Sequence, residues 1–232
     1  MRKIDFVDNE IYHIYNRGVD KRTIFLSDKD YLRFIHDLFE FNDEAPAENI
    51  YYKSSDIESY EAKPRKIARE RKLLVEILAF CLMPNHFHLL LRQKKDNGIT
   101  KFMHKLGTGY TMSFNQKYKR TGSLFEGPFS AILIDKEFHF LNLPYYIHLN
   151  PLDLKFPEWR VRRLSNFKQA IYFLENYRWS SHIDYIGKKN FPSVTNREFL
   201  LDIFGGTEKY AESIRKWLKD LELESFRDIL LE

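Results

Sequence analysis

Apolar positions along the chain switch between a period of two and a period near 3.6, and the switches mark the elements. Glu10 to Asn16 (EIYHIYN) mixes β-branched and aromatic residues, which suit a pleated, half-buried surface, and predicts a first strand. The RGVDKR that follows turns the chain. Ser27 or Asp28 can then cap a helix running to about Phe41, on which Tyr31, Phe34, Ile35, Leu38 and Phe39 recur on one face. From Asn42 to about Lys72 the pattern dissolves into charge, which predicts an exposed, partly helical insertion rather than a separate domain.

Leu73 to Met83 (LLVEILAFCLM) is a continuous apolar run, as a buried central strand requires. Pro84-Asn85 turns the chain and His86 to Arg92 (HFHLLLR) returns, so the two runs predict a hairpin. Gly98 to about Tyr118 is helical by spacing, with Ile99, Phe102, Met103, Leu106, Tyr110 and Phe114 along one side. Leu124 to Ile134 reads as a fourth strand. A helix starting near Asp135 or Lys136 must stop before Pro151, whose ring and missing N–H break it. The order is that of an α+β fold, a ferredoxin-like antiparallel sheet (βαββαβ) with an added tyrosine-bearing helix. Tyr177 to Ser181 (YRWSS) closes this body, placing a boundary near residue 182, and a C-terminal extension over 183–232 predicts two or three short helices from Thr195.

Composition narrows the class. The chain has 232 residues, 44% hydrophobic and 30% charged, which describes a folded protein rather than a disordered one. No stretch approaches the roughly 18 apolar residues that span a bilayer, and MRKIDFVDNE lacks the apolar core of a signal peptide. The single Cys81 excludes a disulfide framework and a multi-cysteine zinc site. A cytoplasmic protein, with no membrane partner, is expected.

Net charge is only +4, but its distribution is uneven: residues 198–232 carry −4 and residues 1–197 carry +8. Between Gly98 and Phe125 there is no acid, while Lys101, Lys105, Lys117, Lys119 and Arg120 are all present. Arg17, Lys21 and Arg22 follow the first strand. A basic body suits a polyanionic partner, and a solvated basic face is the plainer reading of the same charges.

Two constellations carry chemistry. His86 and His88 stand two apart on a strand, so both imidazoles project from one face while Phe87 enters the core. Such a pair can bind a metal, or can be an accidental pair near a strand end with one ring satisfied by a hydrogen bond. Tyr146 and Asn150 stand four apart on a helix and share a face. A phenol beside a carboxamide suits nucleophilic attack on a phosphate. The same two residues also fit a tyrosine packed on the sheet and an asparagine capping the helix end before Pro151.

The order of motifs is more specific than either alone. IYHIYNRGVDKRTIF, then PNHFHLLL, a basic helix, GSLFEGPF, YIHLNP and YRWSS together resemble the single-tyrosine HUH transposases, in particular the REP-associated tyrosine transposase branch, over about residues 8–182. The resemblance implies that His86 and His88 are metal ligands, that Tyr146 is the catalytic tyrosine, and that Asn150 supplies a third ligand to magnesium or manganese. It implies a DNA transposase that binds single-stranded DNA hairpins and cleaves and rejoins strands through a 5′-phosphotyrosine intermediate. Arg17, Lys21, Arg22, Lys101, Lys105, Lys117, Lys119 and Arg120 become candidate nucleic-acid contacts, and exposed aromatics among the 34 tyrosines and phenylalanines candidate platforms for unpaired bases. A single acting chain is expected rather than a dimer.

Departures from that pattern bear on function. Pro128 stands where relatives carry a basic residue after the glycine of the G-x-[LF]-[FW]-x-G segment, and Ser130 where they carry a lysine. The insertion at 42–72 is long for the family. Pro128 and Ser130 fit an alternative, a domesticated hairpin-binding protein without cleavage activity. A replication initiator or relaxase would need further domains for which 232 residues leave no room, and a metal hydrolase using activated water is a last alternative.

Overall fold

The computed structural model describes residues 4–46, 70–161 and 163–220. Most of the charged insertion predicted over 42–72, and the last dozen residues of the predicted extension, lie outside the described residues. Four strands, β1 (Ile11–Arg17), β2 (Val75–Met83), β3 (His86–Gln93) and β4 (Ser130–Leu133), form an antiparallel sheet in the order β2-β3-β1-β4. With α1 (Asp28–Glu40) and α2 (Gly98–Lys117) as the connecting helices, this is the predicted ferredoxin-like order.

Alternation along the strands sorts the side chains between two cores. Tyr12, Ile14, Phe80, Leu82, Phe87, Leu89 and Leu91 face α1 and α2. Cys81, Met83 and Leu90 face the other way, towards α3 (Glu137–Leu149), the predicted tyrosine-bearing helix. A register shift between Ile77 and Ala79 in β2 turns Leu78 and Ala79 both towards α3, which accounts for an apolar run too continuous to alternate.

Local chemistry sets the element ends. Ser27, rather than Asp28, caps α1 in a reciprocal capping box with Asp30. Helix α2 begins at Gly98, a position that only glycine fits, because a Cβ there would lie 2.2 Å from the Leu74 carbonyl oxygen. Strand β4 is shorter than the predicted Leu124–Ile134. Leu124 and Phe125 instead run beside Val19 and Gly18, through the Val19 N–H to the Leu124 carbonyl at 3.0 Å and a bridge from Gly18 to Phe125. Pro128 has no N–H to continue a ladder between them and β4. At its other end, α3 stops at Leu149 ahead of Pro151, and the chain tightens into 3-10 turns over Asn150–Leu154 and Pro157–Val161.

The second half of the chain covers the open edge and face of the sheet. The YRWSS segment runs along the outer edge of β2: the Leu82 N–H donates to the Trp179 carbonyl (2.9 Å) and the Ser181 N–H to the Phe80 carbonyl (3.0 Å). Helix α4 (Phe167–Asn176) was not among the predicted elements, although Phe167, Ala170, Ile171 and Leu174 have helical spacing. Helices α5 (His182–Tyr185), α6 (Arg197–Phe204) and α7 (Thr207–Asp220) pack onto α3. Because α3 is apolar on nearly all sides, it must be covered on the side away from the sheet. Among the described residues, no helix is long and apolar enough to cross a membrane.

A buried polar knot joins these layers. Tyr210 of α7 and Ser181 flank His148 of α3 at 2.6 and 2.7 Å, and His182 approaches the same Tyr210 hydroxyl at 3.2 Å. Burial holds His182 neutral, with its pKa lowered to about 4; nearby Glu175 works against that shift and Arg215 and Lys188 with it. The unfolded chain therefore takes up this proton first as the pH drops. The stabilisation is complete above the ordinary imidazole value near 6.5 and is expected to fade as pH falls from there towards 4. Urea melts between pH 7.5 and 4.5 check this, and His182→Gln is expected to flatten the slope.

Candidate active site

The face of the sheet that meets α3 carries the histidines singled out in the sequence. His86 and His88 open β3, and opposite them on β1 stand Arg17 and Tyr15. Phe87 points into the other core, as alternation requires. The His86 and His88 rings lie 5.0 Å apart, edge to face. Burial, followed by the charge of Arg17, lowers the His86 pKa to about 4. Burial, with His86 and His13 next, takes His88 well below its ordinary value. Both imidazoles are thus neutral at pH 7, the form that can ligate a metal.

Tyr146 and Asn150 come down from α3 onto this pair. The Tyr146 ring is edge-on to His88 at 6.2 Å between centroids, while its neighbour Tyr145 points away and stacks on Tyr210 at 5.5 Å. One residue along a helix is a rotation of about 100°, which is what separates the two tyrosines. Asn150 donates from Nδ2 to the Tyr146 carbonyl at 2.9 Å, the capping role open to it from sequence. That bond leaves its Oδ1 towards the site, 3.5 Å from Arg160 Nη2. Tyr146 and Asn150 are both fully buried.

Four further residues belong to the site and were missed in the sequence. His13 lies on the same face of β1, and its Nε2 is 3.0 Å from His88 Nδ1, both rings being buried. Its two-residue phase with Tyr15 and Arg17 was a readable signal, but only the pairing of β1 with β3 reveals the contact. Asp153, Trp159 and Arg160 arrive on the two 3-10 turns. Asp153 accepts from Trp159 Nε1 (2.7 Å) and holds the Arg160 fork through Nε (2.8 Å) and Nη2 (2.5 Å). Burial opposes the Arg160 charge, yet Asp153 and Tyr146 keep its pKa above the ordinary value. No local motif marks these three.

Two neutral imidazoles and a carboxamide oxygen are the metal donors this face offers. His88 Nε2 is buried with no hydrogen-bond partner, while Nδ1 meets His13; in the tautomer that donates from Nδ1, the Nε2 lone pair is available to a metal. Among the described residues no group of three or more His, Cys, Asp or Glu is disposed to hold a metal, so a cation here would rely on the two imidazoles and the Asn150 carboxamide.

The basic candidates divide between the ends of the sheet. Arg17, Lys21 and Arg22 lie at the end that carries the His86 turn, where the Asn85 Nδ2 donates to the Lys21 carbonyl and the Ile24 N–H to the Pro84 carbonyl. The C-terminal end of α2, with Lys117, Lys119 and Arg120, reaches the same end on the opposite layer: Lys117 pairs with Asp30 at 2.6 Å and Arg120 bonds Asn115 at 2.6 Å. Lys119 is exposed. Lys101 and Lys105 sit at the far end of α2, roughly 20–25 Å away along a helix rising 1.5 Å per residue. There Lys105 donates to the Asp43 and Ala45 carbonyls. Structural bonds already hold Lys105, Lys117 and Arg120, while Lys21, Arg22, Lys101 and Lys119 face solvent. Pro128 is exposed, and Ser130 pairs with Tyr15, two strands from His88 on the same face.

Comparison with known proteins agrees with this picture. Residues 48–150 match the family model described as "Transposase IS200 like", a span that holds His86, His88, Tyr146 and Asn150 but neither β1 nor the Asp153–Arg160 turn. No curated protein matches significantly. The solved structure of a REP-associated tyrosine transposase bound to a REP hairpin superposes with a TM-score of 0.53 at 11% identity, covering 83% of this chain and 88% of that one. The resemblance read from the sequence is borne out, and so is the α+β, ferredoxin-like architecture.

Proposed function

From the IS200-like transposase match over residues 48–150, we propose that this protein binds single-stranded DNA hairpins and cleaves and rejoins strands through Tyr146. The observation that carries the reading is the convergence of His86, His88, Tyr146 and Asn150 on one face within one chain. The hairpin-bound neighbour supports the choice of ligand.

The chemistry balances without a nucleoside triphosphate. The Tyr146 phenolic oxygen forms a bond to phosphorus. The P–O3′ bond breaks, its electron pair stays on O3′, and the phenolic proton ends on the new 3′-hydroxyl. The product is a 5′-phosphotyrosine, and a 3′-hydroxyl from another strand can reverse the step to join new ends. His86, His88 and Asn150 would hold magnesium or manganese, which offsets charge on the scissile phosphate. His88 donating from Nδ1 to His13 leaves the Nε2 lone pair for that ion. Arg17, Lys21 and Arg22, at the His86 end, would meet the phosphates of the incoming strand. His86, His88, Tyr146 and Asn150 all come from one chain, which supports a monomer, and a cytoplasmic location accords with this use.

The test mixes the protein with labelled hairpin oligonucleotides from the repeats of its own genome and magnesium or manganese, and resolves the products on a denaturing protein gel. A covalent band is expected that EDTA removes and that His86→Ala/His88→Ala reduces at least about 100-fold. A second reading, hairpin binding without cleavage, is favoured by the full burial of Tyr146 and by Pro128 and Ser130. Tight binding with no band under either metal would establish it instead.

A further inference from the structure

We propose that Arg160 is a catalytic residue of this reaction, orienting the Tyr146 hydroxyl and taking the charge that builds on the scissile phosphate. The inference rests on the reading of Tyr146 as nucleophile. It concerns a residue outside the matched span 48–150.

The geometry is that of a side chain held on one edge and presented on the other. Asp153 grips Nε and Nη2, and Asp153 is itself fixed by Trp159 Nε1. The guanidinium carbon lies 5.0 Å from the centroid of the Trp159 ring, so the plane is set as well. The groups turned inward are Nη1, 3.5 Å from the Tyr146 hydroxyl, and Nη2, 3.5 Å from Asn150 Oδ1. These distances are at the long edge of hydrogen bonding, as in sites whose contacts tighten only around substrate. A purely structural arginine would be satisfied by the aspartate. This one also reaches the two atoms that define the site.

The chemistry needs such a group. As the phenolic oxygen bonds to phosphorus and the P–O3′ bond lengthens, negative charge gathers on the non-bridging and leaving oxygens. A fixed guanidinium, charged at every working pH, offsets that charge without reorganising at the moment of reaction. A lysine could not hold the Asp153 fork and the Tyr146 contact together.

The experiment uses the full chain, the hairpin panel and manganese, and measures adduct rate and hairpin affinity separately. Arg160→Ala is expected to slow adduct formation by about 100-fold or more, with hairpin affinity changed by less than about threefold. Methylguanidine at millimolar concentration is expected to restore part of that rate in Arg160→Ala and none in Tyr146→Phe, a response that a merely structural role would not give. Arg160→Lys is expected to stay well below wild type. An Arg160→Ala protein working at the wild-type rate, or a loss that methylguanidine does not relieve, would overturn the proposal. If the wild type itself forms no adduct, the nucleophile reading falls and this inference with it, and the two failures are told apart by that one lane.

Discussion

Tyr146→Phe is expected to remove the covalent DNA adduct altogether, at least about 1000-fold below wild type, while hairpin binding stays within about twofold. The expectation follows from one atom. The variant keeps the ring that packs against His88 and Trp159, so the sheet-facing core is unchanged, and it deletes the phenolic oxygen proposed to bond to phosphorus. The measurement is the denaturing-gel assay beside a gel-shift titration with the same oligonucleotide. Continued cleavage by Tyr146→Phe, with no covalent intermediate, would reveal water as the nucleophile and make the protein a metal hydrolase. Tyr145→Phe is the matched control. Its ring stacks on Tyr210, away from the histidines, so its adduct rate is expected to be near that of wild type.

Tyr210→Ala carries the second large effect, on stability. Tyr210 is fully buried, its ring meets Tyr145, Tyr185 and Phe204, and its hydroxyl meets His148 and His182. Truncation leaves a cavity of nearly a whole ring and strips a buried imidazole of a partner. A loss of about 3–5 kcal/mol is expected, which at about 2–4 °C per kcal/mol for a chain of this size lowers the melting temperature by roughly 6–20 °C. Tyr210→Phe, which keeps the ring, is expected to lose about 1–3 kcal/mol. Thermal and urea melts read both. A change below about 1 kcal/mol for Tyr210→Ala would mean that α7 does not seal α3. The point matters for function, because α3 carries Tyr146 on its other side.

Much of this protein is legible in the chain. The period-two and period-3.6 patterns, the Ser27 cap, the Pro84-Asn85 turn and Pro151 mark the six elements of the ferredoxin-like body to within a few residues, since each is a local preference of backbone or side chain. The shortening of β4 has a local cause too, at Pro128, while α4 carries a helical spacing of its own in Phe167, Ala170, Ile171 and Leu174. H-x-H on a strand and Tyr-x-x-x-Asn on a helix are likewise local, because the pitch of each element alone puts their side chains on a shared face.

What no local rule contains is the meeting of one element with another. His13 reaches His88 only because β1 pairs with β3 in a register that brings the two rings to one patch. Arg160, held by Asp153, reaches Tyr146 only because two 3-10 turns fold back across the end of α3. The basic residues that looked alike in sequence are separated by the length of α2, and three of them already bind their own chain. The sequence by itself determined the elements, the two halves of the site and the face each would present. The tertiary structure alone decided which groups surround them, because strand register and the path of irregular turns depend on contacts between residues far apart in the chain, which periodicity cannot encode.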